Sequence, residues 1–148
     1  MIIAETDNFT IESHESPEVS RLDGGHLVIN PKISVDDRTK LTVGLVLELA
    51  LLTNIAGKAM KDGLSEHGIK LGRINYQDNG NWKQELHIHL YGRAFDATYQ
   101  TYGEPIKAPR RPEAKITQEP LHKEDCDSIR SKIFIFNKEP GYDKLNIY

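Results

Sequence analysis

One segment limits the possible folds more than any other. Leu45, Leu49, Leu52, Ile55, Ala56 and Ala59 recur at helical spacing, and Thr42 is placed to cap the first turn. Val46, Leu47 and Leu51 widen the stripe, so the pattern predicts a long helix, covered on more than one side, that stops near Gly63. The other apolar runs before residue 100 are short and β-branched or alternating. A dominant helix with strands on both sides of it in the chain has to lay its apolar face on a sheet.

Residues 2–4 and 9–11 read as short strands around the turn-like Asp7-Asn8. After a polar stretch, Gly24-Gly25 opens His26-Leu27-Val28-Ile29-Asn30, which is halted by Pro31. That run is apolar on both faces and reads as a central strand. Residues 69–77 alternate, Asp78-Asn79-Gly80-Asn81 has the chemistry of a hairpin turn, and residues 85–91 alternate again. The second of these strands sets Glu85, His87, His89 and Tyr91 against Leu86, Ile88 and Leu90. Residues 104–120, with four prolines and the pair Arg110-Arg111, read as an extended surface segment. A second helix is expected over residues 123–137, with Ile129, Ile133 and Phe136 on one side; by composition alone residues 132–136 fit a strand equally well. The expected architecture is α+β. One domain spans residues 1–148, with an antiparallel sheet of about five strands, one long helix and a C-terminal helix.

Bulk properties exclude some partners. A formal charge of -3 leaves no basic footprint for a nucleic acid duplex, but says nothing against a small nucleotide. Cys126 is the only cysteine, so no intramolecular disulfide forms and a cytoplasmic location is expected. The first seven residues lack the basic and apolar regions of a secretory signal. The apolar stretch 41–52 is interrupted by Glu48 and is shorter than the roughly 20 residues of a membrane span, so no membrane is expected as a partner.

The chemistry centres on His87 and His89. On a strand, residues i and i+2 share a face with Cα atoms about 6.6 Å apart. Three readings fit such a pair: two histidines without a task, a zinc or iron site completed by His26 or Glu85, or nucleophilic catalysis. In the last, a neutral imidazole attacks phosphorus while its neighbour assists the leaving group, and a pKa near 6.5 keeps neutral imidazole available.

The order and spacing of several motifs across residues 9–94 resemble the histidine-triad superfamily of nucleotide-binding proteins. They are Gly25-His26-Leu27-Val28-Ile29-Asn30-Pro31-Lys32, the helix, Asn75-Tyr76-Gln77-Asp78-Asn79-Gly80, and Glu85-Leu86-His87-Ile88-His89-Leu90-Tyr91-Gly92-Arg93. The resemblance is nearest to small bacterial members, of the diadenosine polyphosphate hydrolase kind, that carry a run like residues 72–82 ahead of the triad. It implies that His87 attacks the α-phosphate and is transiently nucleotidylated, and that His89 contacts the phosphate and helps the leaving group. It implies that Gln77, Asn79 and Asn81 bind phosphate oxygens and that His26 supports the site from behind. It also implies a homodimer with continuous sheets, and no cofactor. The expected activity is that of a nucleotide hydrolase or transferase; the alternatives are a non-enzymatic or weakly active nucleotide-binding module, or a metal-dependent enzyme built on the two histidines.

The sequence departs from the pattern in two places. Glu85 stands where the family has its first triad histidine, and the connection from Gln77 is short by a few residues. The family uses the backbone carbonyl at that first position to orient the nucleophile, and glutamate supplies a carbonyl as well as histidine does. Its carboxylate would repel a phosphate unless it is turned away or paired. Arg110-Arg111 read as solvated charges, Trp82 as a packing residue, and Cys126 carries no expected role.

Overall fold

The computed structural model describes residues 1–78, 83–107 and 118–148. It contains an antiparallel sheet of five strands: β1 (Ile2–Glu5), β2 (Phe9–Ser13), β3 (His26–Pro31), β4 (Leu71–Gln77) and β5 (Ile88–Ala94), in the spatial order β1-β2-β3-β5-β4. Two helices, α1 (Val43–Ser65) and α2 (Lys123–Phe136), complete the expected α+β architecture. Short 3-10 turns lie at Arg21–Asp23 and Arg38–Lys40.

Alternation along the strands decides which face is covered. Phe9, Ile11, Leu27, Ile29, Ile88 and Leu90 are buried and share one core with Leu49, Leu52, Ile55, Ala56, Ala59, Met60 and Leu64 of α1. Each large aliphatic side chain buried there contributes roughly 1.5–3 kcal/mol, before chain entropy is set against it. Ile129 and Ile133 of α2 join the same cluster. The opposite face of the sheet is therefore left for polar side chains.

Thr42 caps α1 as expected, accepting from the Leu45 amide. The helix does not stop at Gly63, however. A Cβ at Gly63 would lie 2.9 Å from the Ile129 backbone nitrogen, so this glycine lets α1 and α2 approach closely. The helix ends at Ser65, and Gly68, with φ +80°, turns the chain back. At 23 residues, α1 is long and apolar enough to cross a membrane by length and composition, longer than residues 41–52 had suggested. In this fold its apolar face is the core.

The strand bearing the histidines also begins later than alternation implied. Glu85, Leu86 and His87 precede β5, and the Leu86 amide donates to the Val35 carbonyl instead of to a ladder partner. Gly24 and Gly92 explain how β3 is held against β5. A Cβ on either would lie within 2.4 Å of the other's backbone, and Gly24 has φ +131°. The 97–107 segment is fixed by buried polar groups rather than by regular structure. The Asp23 carboxylate accepts from the amides of Thr98, Tyr99 and Gln100, while Arg93 donates to the carbonyls of Gln100, Thr101 and Glu104.

Candidate functional site

Register places the functional side chains on the sheet face away from the helices. Val28 of β3 and Gln77 of β4 are both in register with His89 of β5, on either side of it; His26 and Asn75 flank Tyr91 in the same way. The backbone of His14, just past β2, pairs with that of His26 through its amide. Four imidazoles meet there. The rings of His87 and His89 are 4.7 Å apart edge to face, those of His26 and His89 are 5.0 Å apart, and His14 stacks on His26 at 4.6 Å.

The hydrogen bonds determine which nitrogen of each ring bears a proton. His87 Nδ1 stands 2.7 Å from the Glu85 carbonyl oxygen, which only accepts, so Nδ1 holds the proton and Nε2 of the neutral ring keeps its lone pair. The Glu18 amide donates to His26 Nδ1 at 3.2 Å, so the proton of neutral His26 lies on Nε2. That Nε2 is 2.8 Å from His89 Nδ1 and donates to it. His89 consequently carries its own proton on Nε2.

Burial dictates the charge state. His26 is 1% exposed, and desolvation together with the neighbouring imidazoles of His14, His89 and His87 drives its pKa well below 6.5. Desolvation, reinforced by His87 and His14, lowers His89 to about 4. His14 is lowered too, chiefly by burial, against the opposing pull of the Glu18 carboxylate. Tyr91 lies under the cluster, stacked on His89 at 5.4 Å, and donates its hydroxyl proton to Glu18. Burial, and then that hydrogen bond, raise the phenol's pKa. Near neutrality His14, His26 and His89 are thus uncharged; the Glu85 contact leaves Nε2 as the ring nitrogen of His87 that faces away from that carbonyl, and His89 presents an Nε2–H donor.

No family model and no curated protein matches the chain by sequence. Solved structures do match it in three dimensions. A histidine triad protein from Sinorhizobium meliloti 1021 superposes with a TM-score of 0.65 at 16% identity, covering 91% of this chain and 87% of that one. The chain has the histidine-triad fold. A hypothetical histidine triad nucleotide-binding protein from Sulfolobus tokodaii strain7 gives 0.62 at 16% identity over 95% and 87% of the two chains. A Zn-bound histidine triad family protein from Mycobacterium smegmatis gives 0.63 at 16% identity over 93% and 87%.

Within the histidine-triad fold, the structure gathers His26, His87, His89 and Gln77 at one place. Asn79, Asn81 and Trp82 lie outside the described residues, as do Arg110 and Arg111. Glu85 is exposed, and what it brings to the cluster is its backbone carbonyl. Asn75 shares the row of His26 and Tyr91, but its Oδ1 accepts from Arg93 at 2.8 Å. Among the described residues, no group of three or more His, Cys, Asp or Glu side chains is arranged to hold a metal ion. His89 Nδ1 is occupied by His26 rather than open to a ligand.

Sequence reasoning missed His14, Glu18 and the hydroxyl of Tyr91. The signal for His14 was present. Continuing the alternation Thr10, Glu12 by one more step puts His14 on the polar face, whereas the strand had been expected to stop at residue 11. Nothing local announces Glu18, whose amide and carboxylate reach the cluster from a loop. A cavity beside the N-terminal half of α1, lined in part by Leu47, Glu48 and Leu145, shares no residue with this cluster.

Proposed function

We propose that this protein is a nucleotide hydrolase or transferase that cleaves at the α-phosphate of a nucleoside phosphate derivative through a nucleotidyl intermediate on His87. The observation that carries the reading is the contact of His87 Nδ1 with the Glu85 carbonyl at 2.7 Å. It leaves Nε2 as the nucleophilic nitrogen without requiring a histidine at position 85. In the first step, Nε2 forms a bond to phosphorus as the bond to the leaving group breaks. In the second, water attacks phosphorus, the P–N electron pair returns to Nε2, and the proton of the attacking water passes to solvent. His89 presents its Nε2–H to a phosphoryl oxygen, with Gln77 beside it on β4; Asn79 and Asn81 are further candidates for phosphate contact. The neighbour from Sulfolobus tokodaii, described as nucleotide-binding, supports the same ligand class.

A second copy of the chain fits as a partner through β4. The opposite edge of the sheet, β1, is covered by reciprocal amide–carbonyl bonds between Glu5 and Tyr148, whereas β4 ends the sheet with Arg73 and Tyr76 exposed. A cytoplasmic location accords with the single, buried Cys126. The deciding experiment incubates the purified protein with adenosine 5′-phosphoimidazolide, quenches in alkali, and measures both adenosine monophosphate release and the mass of the peptide bearing His87. Release of the monophosphate together with a nucleotidyl mass supports the proposal. Binding of adenosine monophosphate without any turnover favours a non-enzymatic nucleotide-binding module.

A further inference from the structure

We propose that the cavity beside the N-terminal half of α1 is a second binding site, for a free α-amino acid with a large apolar side chain. It shares no residue with the histidine cluster, and the proposal does not depend on the chemistry of His87. The β1–β2 turn, the first turns of α1 and residues 141–146 border a space of about 600 Å³, a usual size for a small-molecule site.

Its wall carries charge of both signs, and none of it is compensated. Glu48 interrupts the apolar run of α1 and lines the cavity together with Asp7 and Lys144. Among the described residues, no cation pairs with Glu48 or Asp7, and no carboxylate pairs with Lys144. Glu48 is nevertheless fixed in place. The buried Thr6 donates its hydroxyl to Oε1 at 2.5 Å, and the Asn8 side-chain amide donates to Oε2 at 2.8 Å. Each carboxylate oxygen accepts twice, so both keep a lone pair for a further donor. Two neutral donors hold this carboxylate without cancelling its charge. Asp7 is held in the same way, by the Tyr148 hydroxyl at 3.3 Å and the Asn146 amide at 3.4 Å.

The rest of the wall is apolar or unfilled. Leu47, Leu51 and Leu145 line it, and Leu47 is 61% exposed although it belongs to the apolar stripe of α1. Gly44 lies one turn before Glu48, and a Cβ there would meet only the Thr42 hydroxyl oxygen, at 4.0 Å. A ligand that completes this wall brings an ammonium to Glu48, an anion to Lys144 and an apolar body to the leucines. A plain amine meets Lys144 as a like charge, and a plain carboxylic acid meets Glu48 and Asp7 as one. An α-amino acid with a branched or aromatic side chain carries all three groups on one carbon, and each charge finds a charge-assisted hydrogen bond.

The test titrates the full chain, labelled with ¹³C at its methyl groups, at pH 7 with leucine, leucinamide and 4-methylpentanoate. The methyl signals of Leu47, Leu51 and Leu145 report binding. Leucine is expected to shift them saturably, with a Kd on the order of 1 mM for so small a ligand. The amide and the acid each lack one charge and should bind about tenfold more weakly. Lys144→Gln should weaken leucine about tenfold and leave leucinamide unchanged, whereas Glu48→Gln should weaken both. Gly44→Leu should fill the cavity and abolish binding without lowering the urea midpoint, since leucine is the better helix former. That variant decides the matter even where Glu48→Gln does not fold. His87→Ala should bind leucine as the native protein does, so this site and nucleotidyl transfer are read separately. No saturable shift with leucine up to about 20 mM overturns the proposal. Leucinamide binding as tightly as leucine also overturns it, since the occupant is then a plain amine or a peptide N-terminus. Leucine binding that survives in Gly44→Leu overturns it by placing the ligand elsewhere.

Discussion

The imidazole of His14 lies flat on that of His26, ring centroids 4.6 Å apart and planes within 8°. Two stacked imidazoles share a proton-poor environment, and His89 extends it at 5.0 Å from His26. Folding therefore disfavours protonation at three neighbouring histidines, each lowered from 6.5 mainly by burial. The sign follows from linkage. Above pH 6.5 neither state holds these protons and the stabilisation is complete. As pH falls below 6.5, the unfolded chain takes up protons that the folded chain refuses, and stability is lost. Each fully refused proton gives a slope of about 1.4 kcal/mol per pH unit, reduced for His14 and His89 by their partial solvation. Urea midpoints are expected to fall steadily from pH 7 to pH 5, above the range where carboxylates dominate, and His14→Gln should flatten that fall. A midpoint independent of pH over this window contradicts the buried neutral cluster.

Replacing Glu85 is expected to matter little. The contact that orients the nucleophile is made by the Glu85 carbonyl, which every residue except one with altered backbone geometry retains. The side chain is exposed. Both Glu85→Gln and Glu85→His should leave turnover of an adenosine 5′-monophosphate aryl ester within about threefold of the native rate, or raise it by removing a negative charge near the incoming phosphate. Steady-state kinetics decide this, and a hundredfold loss in both variants would give the carboxylate a catalytic task.

These two cases mark what was legible in the sequence. Helical and strand periods report which side of an element meets the core, so the five strands, both helices and the shared face of His87 and His89 could be read directly. Periodicity does not report contacts made across the fold. The Gly63 stop was misplaced because its reason is Ile129 of α2, more than sixty residues away. The start of β5 was misplaced because Leu86 finds its partner in Val35, outside the sheet. Glu18 was invisible because a loop amide has no sequence signature, yet it sets the tautomer of His26 and, through it, that of His89.

Arg93 should prove more costly to replace than any exposed charge in the molecule. It is 3% exposed and has no carboxylate partner among the described residues; its donors serve Asn75 and three carbonyls of the 100–104 segment. Arg93→Met removes the donors that tie the 100–104 segment to β5 and leaves the Gln100 carbonyl unpaired in a buried position, with an expected loss of about 2–4 kcal/mol in denaturant unfolding. Arg93→Lys should recover only part, since an ammonium cannot span the same acceptors as a planar fork. Full recovery by lysine would show that charge, not geometry, is what the segment needs.

The nucleophile allows the sharpest test. If Nε2 of His87 attacks phosphorus, the resulting phosphorus–nitrogen bond is a true intermediate, and alkali preserves it once the second step is stopped. A fluorescent adenylate ester mixed with enzyme and quenched in base should leave a nucleotidyl mass on the peptide that contains His87. His87→Ala should lose adduct and turnover together by several orders of magnitude, since no other imidazole among the described residues of the cluster offers an open basic nitrogen: His14 Nδ1, His26 Nδ1 and His89 Nδ1 are all occupied by donors. His89→Gln should keep the adduct while slowing its formation, because the attacking atom is untouched. A chelator should change none of these rates on a substrate that carries no metal ion of its own. Full activity in His87→Ala would remove the nucleophile from this account. Activity that disappears with chelator and returns with zinc would assign the chemistry to a metal ion instead.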